Sequence, residues 1–170
     1  MPKPRGRAAF DQHEHDHRDC VASALTAAER ICEREGARLT EIRRRVLELI
    51  WTHGKPVGAY TLLDDLSRER GGVAPPTVYR AIEFLLEHGL IHRIESLNAF
   101  VGCSHPSDPH TGYFLICGTC GATAELEDAR IDRVLRSSAR EIGFRVERQT
   151  VEMRGLCPAC GEGKGAGLAH

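Results

Sequence analysis

Two pairs of cysteines carry the clearest chemical signal in the chain. Cys117 and Cys120 form one C-x-x-C pair, Cys157 and Cys160 form a second, and a glycine follows each pair. This spacing lets two thiolates face one ion, and four thiolates complete the tetrahedral shell that zinc prefers. Thirty-six residues separate the pairs, more than the roughly 15–20 residues of a compact zinc ribbon. The four cysteines are therefore predicted to hold a structural zinc ion that joins the two ends of a small domain.

A second group of metal-binding residue types surrounds the first cysteine pair. His92, Cys103, His105 and His110 precede that pair, and Glu125 follows it. Cysteine, histidine and carboxylate ligands can together form a four-coordinate site, and the thiolate favours zinc over iron. The group shows no fixed local ligand spacing, however. On the residues alone, His92 could equally be a strand-surface residue and Cys103 a small buried hydrophobe.

The first half of the chain must position part of this group. Regularly spaced apolar residues predict helices over residues 21–36, 40–54, 59–72 and 77–89, several of which end in glycine. The alternating segments LIHRIES and AFVGC then predict two short strands joined by a tight turn. Helices followed by such a hairpin form a winged helix-turn-helix pattern, predicted here as a domain spanning residues 21–97.

The second half differs in kind. YFLIC and ATAEL predict strands, DARIDRVLRSSAREIG a helix, and FRVERQTVEM a longer strand. The predicted fold class is therefore α+β, with the winged helix-turn-helix domain followed by a small α/β domain at residues 98–162 that the four-cysteine zinc site staples. Residues 1–20 are predicted to be a mobile tail and residues 163–170 a disordered one.

Bulk composition limits the location and partners of the protein. A hydrophobic content of 41% and a charged content of 28% predict a globular protein. The chain has neither an apolar run long enough to span a bilayer nor a secretory signal, so a cytoplasmic location is expected. Reducing conditions there favour metal ligands or free thiols over disulfides. The formal net charge of −1 does not itself favour a nucleic-acid partner, and a basic surface would have to be local, formed by arginines such as Arg38, Arg43, Arg44, Arg45, Arg68 and Arg80.

The order of the motifs resembles a known family. TVYRAIEFLLEHGLIHRIES, then Cys-x-His, then HTGYFLICGTCGATAE and finally GLCPACG resemble the ferric uptake regulator superfamily, and within it the zinc uptake regulator branch, over roughly residues 21–161. The resemblance implies a homodimer whose second domain is the dimerisation domain. It also implies a regulatory zinc bound by His92, Cys103, His110 and Glu125, with His105 in reserve as a substitute ligand. Two zinc ions per protomer are therefore expected.

The same resemblance identifies the helix that begins with PPTVYR as the recognition helix, and Tyr60 as a further DNA contact. The residues themselves agree, because two prolines open this helix and the early turns of such a helix face the major groove. Arg80 can bind guanine in a bidentate manner, Tyr79 can contact a thymine methyl group or a phosphate, and Thr77 a phosphate. Solvated Arg80 and a core role for Tyr79 remain open alternatives.

These inferences predict a zinc-responsive, DNA-binding transcriptional repressor of zinc-uptake genes, with zinc as co-repressor. By resemblance, its homodimer binds palindromic AT-rich operator DNA; no membrane, small-molecule substrate or enzymatic activity is expected. One alternative is a regulator of the same fold that senses another metal, iron or peroxide-linked manganese, although Cys-Ser-His stands where the iron-sensing branch has a histidine-rich run. A zinc hydrolase using His92, His110 and Glu125 lacks a supporting H-E-x-x-H motif. A zinc-stapled interaction module that never contacts DNA is a third alternative.

Overall fold

The computed structural model describes residue 10 and residues 17–106, 112–126, 128–147 and 149–162. The chain divides into two compact units, residues 12–109 and residues 110–170 together with residues 1–11. They are termed here the helical unit and the cysteine unit. The sequence-based boundary after residue 97 falls inside a hairpin whose two strands pair with each other, so the whole hairpin belongs to the helical unit.

The helical unit contains the predicted four helices and hairpin. Its elements are α1 (His17–Glu35), α2 (Glu41–His53), α3 (Ala59–Arg70), α4 (Pro75–Glu87), β1 (Ile91–Ile94), a 3₁₀ turn (Glu95–Leu97) and β2 (Ala99–Gly102). α1 begins inside the segment that was predicted to be a mobile tail; residues 1–9 and 11–16 of that tail lie outside the described residues. Asn98 closes the hairpin in the left-handed region, at φ 46°, which asparagine tolerates better than most residues do.

Apolar packing fixes the orientation of α4. One face of this helix buries Val78, Ala81, Ile82, Phe84 and Leu85. That face belongs to a core shared with the buried face of α2 and with α1 and α3, and each fully buried large side chain stabilises the fold by about 1.5–3 kcal/mol. Pro75 and Pro76 start α4 without sacrificing any hydrogen bond within the helix, because the first helical N–H groups have no partner there. The opposite face of α4 is left to solvent.

The cysteine unit is a three-stranded sheet with one long helix. Its elements are β3 (Tyr113–Cys117), β4 (Thr123–Leu126), α5 (Ala129–Glu141), β5 (Val151–Gly155) and the short α6 (Pro158–Glu162). The strand order is β4-β3-β5, with β3 antiparallel to β4 and parallel to β5. Parallel neighbours need a crossover connection, which α5 supplies. Together with the helical unit this confirms the predicted α+β class.

The last strand is shorter than its sequence pattern predicts. Alternation of apolar residues indicates a strand over residues 144–153, yet β5 starts only at Val151. Its register explains the difference, because Val151 lies opposite Tyr113, the first residue of β3. The residues before Val151 therefore have no β3 neighbour with which to pair. The predicted tail at residues 163–170 lies outside the described residues. None of the described helices combines the length and the apolarity that crossing a bilayer demands.

Candidate metal centres and nucleic-acid interface

The sheet of the cysteine unit brings the two cysteine pairs together. Cys117 ends β3 and Cys120 follows in the next turn, whereas Cys157 follows β5 and Cys160 lies in α6. Because β3 and β5 are adjacent and parallel, their carboxyl ends lie at the same edge of the sheet. A hydrogen bond of 2.8 Å from the Gly118 N–H to the carbonyl of Gly155 locks the two ends together. The long insertion between the pairs is therefore the β4–α5 crossover.

The four thiols have the geometry of one metal site. Their Sγ atoms all lie within 4.8 Å of one another, and the Sγ atoms of Cys120 and Cys157 are 3.7 Å apart. A tetrahedral Zn–S₄ centre requires a sulfur–sulfur spacing of about 3.8 Å, given Zn–S bonds of about 2.3 Å. Cys117 and Cys157 are buried beside Ala122. The donor set and its spacing thus fit zinc.

Hydrogen bonding prepares this site for a cation. Backbone N–H groups of Cys120 and Cys157 donate hydrogen bonds that lower the pKa of Cys117 to about 6 and so favour its thiolate form. The pKa of Cys160 is raised to about 12, chiefly by hydrogen bonds with the sulfurs of Cys157 and Cys120. A bound divalent cation deprotonates its coordinating thiols outright. The four thiols are therefore clustered closely enough to act together as ligands of such an ion.

The hairpin β1–β2, termed the wing, holds two of the predicted regulatory ligands. His92 lies on β1 opposite Val101, and Cys103 directly follows β2, where its N–H donates a 3.1 Å hydrogen bond to the carbonyl of Leu90. The Cys103 side chain is buried. The ligand atoms of His92 and Cys103 lie within 4.8 Å of each other. The helical unit therefore presents an imidazole and a thiol as a pair.

Of the remaining predicted ligands, the structure describes Glu125 and His105. Glu125 lies half-buried on β4 of the cysteine unit, opposite Phe114. His105, the predicted reserve ligand, is exposed. His110 lies outside the described residues.

The predicted DNA contacts lie on solvent-facing surfaces of α3 and α4. Thr77 and Arg80 are exposed, and Tyr79 is 45% exposed, so the alternative of a core role for Tyr79 is excluded. Tyr60, the second residue of α3, is 78% exposed. The Arg80 side chain has no hydrogen bond or ion pair with any residue that the structure describes. Its guanidinium is therefore available to a ligand.

The neighbouring arginines of α2 are mostly engaged within the protein, which the sequence did not indicate. Arg43 donates a 2.6 Å hydrogen bond to the carbonyl of Arg38 and lies over the ring of Phe84, 3.6 Å from its centroid. Arg44 pairs with Glu29, and Arg45 pairs with both Glu48 and Glu69. The pairs with Glu29 and Glu69 connect α2 to α1 and α3, whereas the pair with Glu48 lies within α2. Among the six arginines proposed for a basic surface, Arg80 is thus better placed for DNA than the α2 trio.

Comparisons of the sequence and the structure with known proteins all find members of one family. The model of the Ferric uptake regulator family matches residues 34–154. The zinc uptake regulation protein of Escherichia coli strain K12 is 40% identical over 139 residues, which cover 81% of each chain. A solved zinc uptake regulator complexed with zinc and DNA has 38% identity and a TM-score of 0.79, covering 84% of this chain and 95% of that one. Holo XcZur has 49% identity and a TM-score of 0.75, covering 82% of this chain and 98% of its own. The resemblance predicted from the motifs is confirmed: the chain belongs to the ferric uptake regulator family.

Proposed function

We propose that this protein is a zinc-responsive transcriptional repressor that binds the operators of zinc-uptake genes, with zinc as its co-repressor. One observation carries the proposal: a single compact unit holds both an outward-facing recognition helix and the His92–Cys103 pair. The thiol in that pair favours zinc over iron. Relatives with 38–49% identity are zinc uptake regulators, one of them solved with zinc and DNA.

Two zinc sites per protomer are proposed. The four cysteines of the cysteine unit would hold the structural ion. His92, Cys103, His110 and Glu125 would hold the regulatory ion, with His105 as a substitute for His110. Zinc bound by this second set would supply a cation that holds thiolate, imidazole and carboxylate ligands in one coordination shell. The protein itself links the His92–Cys103 pair to α4, because the Cys103 N–H donates a 3.1 Å hydrogen bond to the carbonyl of Leu90, in the segment that follows this proposed recognition helix.

The reading of DNA rests on side chains that the core holds outward. With one face of α4 buried, Arg80 is free to donate two parallel hydrogen bonds to guanine O6 and N7 in the major groove. Thr77 lies in the first turn of α4, where phosphate oxygens are favoured by the helix N-terminus. Tyr79 and Tyr60 would add contacts to a thymine methyl group or to phosphates.

A homodimer is proposed because α5 lacks cover on one flank. No side chain of this helix is buried, and Val134, Leu135 and the following Ile142 are exposed, Ile142 to 83%. Contiguous exposed apolar surface marks an interaction site. A second copy of the chain is the fitting occupant, since a two-fold dimer matches a palindromic operator.

We propose cytoplasmic action on double-stranded DNA, without a membrane partner, a small-molecule substrate or enzymatic activity.

Operator binding measured across buffered free zinc concentrations tests this function. Affinity for an AT-rich palindromic operator should rise with zinc by up to about 100-fold, because a shift from 1:99 to 99:1 raises the DNA-competent fraction by about that factor. Binding to a scrambled duplex should rise far less. Each bound operator should carry an even number of protomers. Unchanged operator affinity across the whole zinc range would reject the proposed function, and a response to iron or manganese alone would transfer it to another metal.

Arg80→Ala is expected to weaken specific binding more than non-specific binding. Loss of one bidentate guanine contact costs about 1–3 kcal/mol, whereas a phosphate contact weakens binding to all sequences alike. The measurement compares operator and scrambled DNA at a fixed salt concentration, because affinity depends on salt. Arg30→Ala, which removes an exposed arginine of α1, is the matched control. An equal loss on both duplexes would make Arg80 a phosphate contact.

A further inference from the structure

The chain's single tryptophan lies directly against a glycine next to a predicted metal ligand. Trp51 belongs to the last turn of α2, and Gly102 is the last residue of β2. A Cβ atom built on Gly102 would lie 2.5 Å from Nε1 and 2.7 Å from Cζ2 of the indole, and closer still to Cε2. Real Cβ atoms essentially never approach other atoms so closely. Only glycine fits beneath this ring without moving it.

Gly102 occupies a sensitive position in the wing. It immediately precedes Cys103 and lies opposite Ile91, the neighbour of His92. The rest of β2 is also held, because Phe100 exchanges two backbone hydrogen bonds of 2.9 and 3.0 Å with Val57. The end of β2, which leads into Cys103, therefore has no room to move towards α2.

Packing alone sets the position of the indole. Its Nε1 atom is buried and has no hydrogen-bond partner among the described residues. The ring packs against the same core that α2 shares with α4. Close-packed interiors transmit strain rather than absorb it, so a shift of the Gly102 backbone must move the ring or the helix that carries it.

We propose that the contact between Trp51 and Gly102 couples the His92–Cys103 pair to the recognition helix through α2. Trp51 is on this view a positioning residue: it touches neither metal nor DNA, but it transmits the state of the ligand pair to the helix that supports α4. The proposal rests on the proposed function, since it explains how occupancy of that pair reaches the DNA-reading surface. It also makes the indole an intrinsic reporter of the pair.

Intrinsic fluorescence gives the first test. Zinc added to the full-length protein, already loaded at the four-cysteine site, should change the Trp51 emission over the same free-zinc range that promotes operator binding. Cys103→Ser should abolish this change. An emission spectrum that stays constant while operator binding responds to zinc would overturn the proposal, because the ring would then be insensitive to the ligand pair.

Exchange of side-chain size gives the second test. Trp51→Leu keeps an apolar residue on α2 but opens a gap over Gly102, so the zinc-dependent gain in operator affinity should fall by at least about 5-fold, the lower end of the usual coupling between sites. Adding Gly102→Ala refills part of the gap and should restore most of the gain, a non-additive rescue of the kind that residues in contact show. Zinc affinity, measured by competition with a chromophoric chelator, should change little in either variant.

Leu49→Ala is the matched control, because it also weakens the buried face of α2. It should lower the melting temperature yet leave the zinc-dependent gain intact. A purely structural role for Trp51 predicts the same pattern for Trp51→Leu and would overturn the proposal, as would failure of the double variant to recover. Absence of any zinc dependence in the unmodified protein would instead reject the proposed function itself.

Discussion

Replacing Cys157 with serine is expected to unfold the cysteine unit. In the described part of this unit the buried apolar side chains lie on the sheet and its turn, among them Tyr113, Phe114 and Ile116, whereas α5 buries none. Apparent binding free energies of structural zinc reach about 10–16 kcal/mol, as large as the total stability of a typical domain, about 5–15 kcal/mol. Cys157 also connects the ends of β5 and β3 through the four-cysteine site. Loss of this ligand should therefore exceed what the remaining contacts can compensate.

Hydrogen exchange resolved along the chain measures this outcome. Amides of β3 and β5 should lose protection in Cys157→Ser, and removal of zinc with a chelator should reproduce the loss in the unmodified protein. Cys20→Ser, which changes a cysteine of α1 outside both pairs, should retain the native pattern. A native melting curve for Cys157→Ser would show that the four cysteines do not stabilise the unit through a metal.

The sequence predicted those features that depend on residues close together in the chain. Cys117 and Cys120 are only three residues apart, so their spacing alone indicated a shared metal ion. The helices of the helical unit were predicted from the spacing of their apolar residues. The extent of β5 could not be predicted in this way, because it is set by where β3 begins to offer partners. The division of the chain was misplaced for the same reason: the pairing of β2 with β1 is a contact between strands, not a feature of either one.

Salt bridges between side chains could not be predicted from the sequence either. Nothing in the spacing of Arg45 and Glu69 indicates their salt bridge, in which the Arg45 hydrogen bond lowers the pKa of Glu69. Yet such pairs decide which arginines remain available to DNA in a chain with a formal net charge of only −1. The contact of Trp51 with Gly102 likewise joins residues far apart in the chain. The regulatory ligands required family resemblance, because their spacing matches no local motif.

Replacing Cys103 with serine is expected to abolish zinc-dependent operator binding while leaving a folded protein. Serine is close to cysteine in size and so fits the same buried position, but its hydroxyl does not replace the soft thiolate as a zinc ligand. If regulatory zinc drives the full shift from 1:99 to 99:1, up to about 100-fold in operator affinity should be lost. Zinc bound per protomer should fall from two ions to one, and the helical unit should keep its circular dichroism spectrum.

Cys32→Ser is the control for burying a hydroxyl in place of a thiol, since Cys32 and Cys103 are 3% and 2% exposed. An unsatisfied buried hydroxyl costs about 1–3 kcal/mol, so both variants should melt at lower temperatures, but Cys32→Ser should keep its zinc response. Normal zinc-dependent binding by Cys103→Ser would remove this thiol from the regulatory site. Loss of the response in both variants would trace it to the stability of the helical unit. Loss in Cys103→Ser alone would assign the response to the Cys103 thiol, whose ligand atom lies within 4.8 Å of that of His92.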